Sequence, residues 1–195
     1  IASIVMISGK RLYVIISDYR HGTTTLCDVA AKTDGVGCLY EAFNNNGLLY
    51  GINTGVDFIN QIDNRISSTT WLNDKNIIVL KVFKRDWKYL KEMINTNIID
   101  HAIFLRRCVS DSYNSYIRAM TTGDWAGNPD TRARGLGITE YKLPVERVES
   151  YKHYKKSIHN WFTASSRLLI NAGLPFHEIW FKEIISPEFK FTDII

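Results

Sequence analysis

A chain of 195 residues, 45% hydrophobic and 23% charged, is sized for one folded domain whose core needs no disulfide or metal staple. Its 24 Lys and Arg exceed its 20 Asp and Glu, for a formal charge of +4. That surplus suits a small anionic ligand and excludes the strongly basic profile of a dedicated nucleic-acid binder.

In chain order, the β-branched run RLYVIIS (11–17) predicts a strand buried on both faces. A glycine-containing turn follows, then a helix from Thr24 to Lys32 with Leu26, Val29 and Ala30 inward. GVGCLYEAF (35–43) predicts a second strand ending at Glu41, and NIIVLKVF (76–83) a third. DWKYLKEMI (86–94) alternates apolar and charged residues at helical period, with Asp86 placed to cap it. HAIFLRR (101–107) reads as a fourth strand and SDSYNSYIRAM (110–120) as the helix behind it. Residues 121–143 break every period with glycine, proline and asparagine, which predicts either a functional lid or a disordered segment. One helix is expected from Pro144 to Ala172, with proline in its first turn. FHEIWFKEII (176–185) reads as a last strand.

Cys27, Cys38 and Cys108 sit in apolar runs and are odd in number. They predict reduced core thiols and a cytoplasmic location rather than disulfides. No C-x-x-C or H-E-x-x-H occurs, and His153 and His159 are six residues apart, so no metal site is expected. No run of about 18 apolar residues predicts a membrane span.

Strands alternating with helices imply an α/β fold, a parallel sheet with helices on both faces. Ligands of such sheets bind beyond the C-terminal strand ends. Arg20, Glu41, Lys81 and Arg107 each fall at or just past such an end, so four polar residues are expected to face one crevice. In YRHGTTT (19–25), backbone N–H groups at a helix N-terminus favour an anion. Gly22 permits the tight turn, Thr23 and Thr24 add hydroxyls, and Arg20 adds a permanent planar cation. Read without that context, the same stretch is an ordinary capped strand–helix turn.

The order strand–x-R-x-G-T-T-x-L resembles the 5′-phosphosulfate loop of the P-loop sulfotransferases, which use 3′-phosphoadenosine 5′-phosphosulfate (PAPS) as donor. YRHGTTTL matches at Arg20, Gly22, Thr23, Thr24 and Leu26, and departs at Tyr19 for proline and His21 for serine. FLRRCVSDSYNSYIRA is similar to the family's 3′-phosphate site, a strand-end arginine (Arg107) with a serine (Ser115) eight residues later. GVGCLYEAFNN, IIVLKVF and LINAGLPFHEIWFKEII extend the likeness over residues 11–185, closest to the carbohydrate and bacterial branch.

The resemblance implies a three-layer P-loop-type fold in a single domain, 1–195, that transfers a sulfuryl group from PAPS to an acceptor hydroxyl and releases the bisphosphate PAP, without a metal. It assigns the donor to Arg20, His21, Gly22, Thr23, Thr24, Thr25, Arg107 and Ser115, with Arg106 standing in for Arg107 if the register shifts by one. The position of the cytosolic branch's base histidine is Phe83 here, so Glu41 is the expected general base, helped by burial from Leu39, Tyr40 and Phe43. Arg20 and Lys81 are expected to neutralise the leaving phosphate oxygen. Glu183, in the altered last-strand tetrapeptide, receives no role. A carbohydrate, glycolipid or small-molecule acceptor is expected, and self-association is left open.

Trp125, Arg132 and Arg134 lie in the long loop, which either closes over an acceptor or is disordered. Trp87 and Trp161 read as core aromatics, and HYKKSIH (153–159) as a solvated basic helix face. Two rivals remain: a P-loop nucleotide or nucleoside kinase, although Thr23 stands where its lysine belongs, and a member of the fold that binds nucleotide without catalysis.

Overall fold

The computed structural model of the chain describes residues 4–125 and 142–194. Five strands, β1 (Arg11–Ile16), β2 (Val36–Cys38), β3 (Ile77–Val82), β4 (His101–Arg106) and β5 (Phe176–Trp180), form one parallel sheet in the order β2-β3-β1-β4-β5. Helices α1 (Thr23–Ala31), α2 (Phe58–Ser67), α3 (Trp87–Asn95), α4 (Val109–Thr122), α5 (Tyr151–Asn171) and α6 (Phe181–Ile184) cover it.

The period-2 alternation of the strands sorts their side chains into two cores. Leu12, Val14, Ile16, Ile78, Leu80, Val82 and Phe104 face α2, α3 and α5. Tyr13, Ile15, Val79, Ile103 and Leu105 face α1, α6 and Phe191. Both faces are therefore apolar, as the unbroken β-branched runs predict, and the protein has the three layers of an α/β fold. Each aliphatic side chain fully buried this way stabilises the fold by about 1.5–3 kcal/mol.

β1 lies at the centre, and the chain leaves it first toward β2 and β3, then crosses to β4 on the other side. That reversal opens a crevice past the C-terminal end of β1. Residues 17–22 and the ends of β3 and β4 border it.

Several elements differ from the sequence expectation. β2 spans three residues, because the chain leaves the strand path through a left-handed Tyr40 (φ 47°). α2, absent from the expectation, buries Phe58, Ile62 and Ile66 along one stripe. α4 runs on to Thr122 and stops at left-handed Gly123.

The expected helix from Pro144 divides into a 3₁₀ turn at Val145–Arg147 and α5. Ser150 caps α5 by accepting the His153 N–H, which satisfies one of the orphan donors of its first turn. The last strand ends at Trp180, and α6 follows because the Glu183 carboxylate accepts the Trp180 N–H. Asp86 takes the N-cap position of α3 as expected, but without a side-chain cap bond: its carboxylate accepts the Phe83 N–H at 3.0 Å and closes the turn before the helix. Cys27 and Cys38 are buried free thiols, whereas Cys108 is exposed at the head of α4. Among the described residues, no helix is long and apolar enough to cross a membrane, and no group of three His, Cys, Asp or Glu could hold a metal.

Candidate functional site

The turn after β1 begins with Ser17 and Asp18, both buried. The Ser17 hydroxyl donates to the Leu105 carbonyl at 3.0 Å, which fixes the turn to β4. Asp18 folds back on the chain. Its carboxylate accepts the Tyr19 N–H at 2.7 Å, and its carbonyl accepts the His21 N–H at 3.3 Å. Burial pushes the Asp18 carboxyl up to about 6, against the Tyr19 N–H and the Lys84 cation, which lower it.

Arg20 takes a left-handed conformation (φ 66°) and Gly22 another (φ 89°) before α1 begins. A non-glycine residue held there costs of the order of 1 kcal/mol or more and tends to occur at functional turns. α1 starts with the Leu26 N–H on the Gly22 carbonyl, so the N–H groups of its first turn have no partner inside the helix. A Cβ on Gly22 would collide with the ring of Phe181, so glycine is required here by packing as well as by φ.

The two sequence motifs meet. Arg20 Nε donates to Ser115 Oγ at 2.8 Å, and Arg20 Nη1 donates to the Trp125 carbonyl at 3.1 Å. Arg107 Nη1 donates to the Arg20 carbonyl at 3.0 Å, and its guanidinium lies 4.5 Å from the centre of the Phe181 ring. Burial, then the neighbouring Arg107 and Arg118 cations, lowers the pKa of Arg20, which a guanidinium tolerates without losing its charge. Arg107 Nε is buried with no hydrogen-bond partner among the described residues. Arg106 is not its substitute, because it is committed to Glu178 at 2.6 Å on β5. The strand register thus leaves Arg107 at the loop.

A second cationic focus lies on the α1 side of the sheet. Lys81 of β3 is 2% exposed, yet its amine donates to Thr24 Oγ1 at 3.1 Å and lies 5.2 Å from the centre of the Tyr40 ring. The Tyr40 hydroxyl donates to Asp28 at 2.7 Å, and burial and Asp28 push that phenol up. Among the described residues, the hydrogen bonds of Arg20, Lys81 and Arg107 go to neutral oxygens. Lys81 is buried and Arg20 and Arg107 are half-buried, and cations removed from water and held by neutral groups favour an incoming anion.

Glu41 lies on the turn after β2. Leu39 and Phe43 turn into the core and leave the Glu41 side chain 43% exposed, so they do not supply the expected burial. Arg85 pairs with its carboxylate at 3.1 Å, and the Asn44 amide donates to the same oxygen. Glu41, Tyr40 and residues 44–47 line a shallow cleft.

Other assigned residues fall differently. His21 is buried beneath the loop, where its ring contacts Phe162, and it does not face outward as a donor ligand would require. Among the described residues, its ring nitrogens find no well-formed hydrogen-bond partner. Burial pushes its pKa down to about 4, opposed by the Leu105 carbonyl and reinforced by Arg107 and Arg106. Thr23 is buried and Thr25 half-buried, so within the threonine run the Thr24 hydroxyl is the one on Lys81. Trp125 lies over the loop, edge-on to Tyr19 and Tyr116. Arg132 and Arg134 lie outside the described residues. Asp18 and Arg85 are residues of the candidate site that spacing did not single out, and the sequence offers Tyr40 only as cover for Glu41. Asp18 carried a signal, as an acid directly after an apolar strand.

No protein-family model matches the chain, and no curated protein is similar to it. A solved structure described as "Crystal structure of APE1195" aligns with 85% of this chain and 98% of its own, at 11% identity and a TM-score of 0.36. A likeness that slight carries no argument about function.

Proposed function

We propose that the chain is a sulfotransferase that takes PAPS as donor and a hydroxyl compound, a carbohydrate, glycolipid or small metabolite, as acceptor. The observation that carries this reading is the meeting of Arg20, Arg107 and Ser115, from two separate sequence motifs, at the crevice beyond β1 and β4.

The residues present fit the donor. Arg107, with its orphan Nε, and Ser115 would hold the 3′-phosphate. The α1 N-terminus, Thr24, Lys81 and Arg20 would hold the 5′-phosphosulfate. When bound, PAPS supplies the sulfuryl group, whose bond to the 5′-phosphate oxygen breaks as a bond to the acceptor oxygen forms.

Glu41 accepts the proton that the acceptor hydroxyl loses, and Arg85 holds that carboxylate in place. Arg20, Lys81 and the first-turn N–H groups of α1 neutralise the charge left on the phosphate oxygen. Thr23 stands where a P-loop kinase carries its lysine, which weighs against that rival.

Titration calorimetry with adenosine 3′,5′-bisphosphate, ATP with Mg²⁺, and adenosine 5′-phosphate tests the reading. Tight binding of the bisphosphate alone is expected. Arg107→Ala should weaken it roughly ten- to a hundredfold, the worth of a charge-assisted hydrogen bond. Preference for ATP with Mg²⁺ would favour a kinase and sink the proposal.

A further inference from the structure

Two sequence features that the donor loop does not use come together between α3 and α5. A cleft of about 760 Å³ is lined by Lys84, Trp87, His153, Lys156, Ser157 and Trp161, with Asn160 beside them and Glu149 as its single acid among the described residues. The tryptophans and the basic stretch read separately as core and solvated face; in the fold they form the floor and wall of one concavity.

The floor is fixed to the donor loop. Trp161 Nε1 donates to the Ser17 carbonyl at 2.9 Å, and the Trp87 and Trp161 rings meet edge-on at 5.6 Å. Trp87 is half-buried, so part of its ring faces the cleft. The wall is cationic: Lys84 and Lys156 are exposed, and the Lys84 amine rests on the neutral Ser157 hydroxyl at 2.6 Å. Lys84 is followed by Arg85, which holds Glu41.

We propose that this cleft is the acceptor subsite and takes an acidic saccharide, a sugar chain that carries carboxylate groups. The inference rests on the sulfotransferase reading above. An indole face suits the C–H face of a pyranose, and the Ser157 hydroxyl and Asn160 amide suit its hydroxyls. Lys84 and Lys156 set the charge class, since one glutamate leaves their ammonium groups in excess over the acids of the cleft. A neutral sugar would leave that excess unused.

The test is calorimetry on the full chain with three probes. One is a tetrasaccharide of alternating glucuronate and N-acetylglucosamine, one is the same chain with its carboxylates reduced to primary alcohols, and one is a glutamate heptapeptide. Adenosine 3′,5′-bisphosphate is titrated separately. The acidic tetrasaccharide should bind about tenfold more tightly than its reduced form, the combined worth of two exposed ion pairs. Lys84→Ala/Lys156→Ala should erase that preference and leave bisphosphate affinity unchanged.

Absence of saccharide binding, equal affinity for the two tetrasaccharides, or a double variant that keeps the preference overturns the inference. So does heptapeptide binding as tight as that of the acidic sugar. Preferential sugar binding without bisphosphate binding would remove the donor reading and leave the cleft standing as an acidic-saccharide site.

Discussion

The rings of Tyr19 and Phe83 stack with centroids 4.9 Å apart and planes 19° from parallel. These are two positions at which the chain departs from the sulfotransferase pattern, one replacing a proline and the other a base histidine, and each supports the other. The Arg85 guanidinium lies 5.5 Å from the Tyr19 ring and 5.4 Å from the Phe83 ring, and it holds Glu41. The departures therefore pack as one unit around the Arg85 guanidinium that pairs with Glu41. A double-mutant cycle with Tyr19→Ala and Phe83→Ala, read by urea unfolding, should give a coupling of about 0.5–1.5 kcal/mol. Additive losses would mean that the stack is incidental.

If that unit serves Glu41, the carboxylate and its clamp should separate kinetically from donor binding. Glu41→Gln should lower turnover at least about a hundredfold, the usual contribution of a general base. Its affinity for adenosine 3′,5′-bisphosphate should stay at the wild-type value. Arg85→Ala should lower kcat in the same direction with less effect, since Asn44 still contacts the carboxylate. A Glu41→Gln variant that keeps full turnover removes Glu41 from the mechanism.

Lys81 separates a structural lysine from an anion ligand. Its amine is buried on a neutral hydroxyl and a ring face, an arrangement with a desolvation cost that a bound phosphate would offset. Lys81→Met keeps an unbranched side chain one atom shorter and removes the charge. Stability in the absence of ligand should hold or rise, while bisphosphate affinity falls roughly tenfold. Lower stability with unchanged affinity would assign Lys81 to packing alone.

Gly22 tests how α6 is coupled to the loop. Gly22→Ala places a methyl group against the Phe181 ring at φ 89°, so two costs add. The left-handed backbone costs about 1–2 kcal/mol, and the overlap about 1–3 kcal/mol more. Adding Phe181→Ala should recover the second cost and not the first. If the double variant is no more stable than the sum of the singles, Phe181 is not what requires the glycine.

Much of the sheet is legible in the sequence because β1, β3 and β4 are apolar runs buried on both sides, and composition carries that signal. That Arg107 and Ser115 lie near one loop is legible, because a strand end and the second turn of the next helix fix their reach; in the fold each bonds Arg20, Ser115 at its Nε and Arg107 at its carbonyl. What escapes is backbone conformation that no residue type announces. Tyr40 adopts a left-handed φ, and Leu39 and Tyr40 continue to bond β3 after β2 has ended. The break before α5 falls at Val148–Ser150, where neither glycine nor proline marks it. The Arg85–Glu41 pair joins residues 44 positions apart, and only the β2–β3 register brings them together.

Asp18 and His21, three residues apart in one turn, should give opposite pH dependences. Asp18 titrates at about 6 in the folded chain, above its unfolded value near 3.8. The folded state then binds the extra proton between those values, so stability falls as pH rises through that window, by roughly 3 kcal/mol in all. His21 titrates at about 4, below its unfolded value of 6.5. There the unfolded state binds the extra proton, so this contribution is complete above 6.5 and is lost as pH falls toward 4, again by roughly 3 kcal/mol. In the wild type the two slopes largely cancel. Asp18→Asn retains an acceptor for the Tyr19 N–H and removes one slope, so its stability relative to wild type should grow as pH rises from 4 to 6.5. His21→Gln removes the other, and its relative stability should shrink over the same range. Urea midpoints at four pH values suffice, and parallel curves for wild type and both variants would show that neither group titrates as its burial implies.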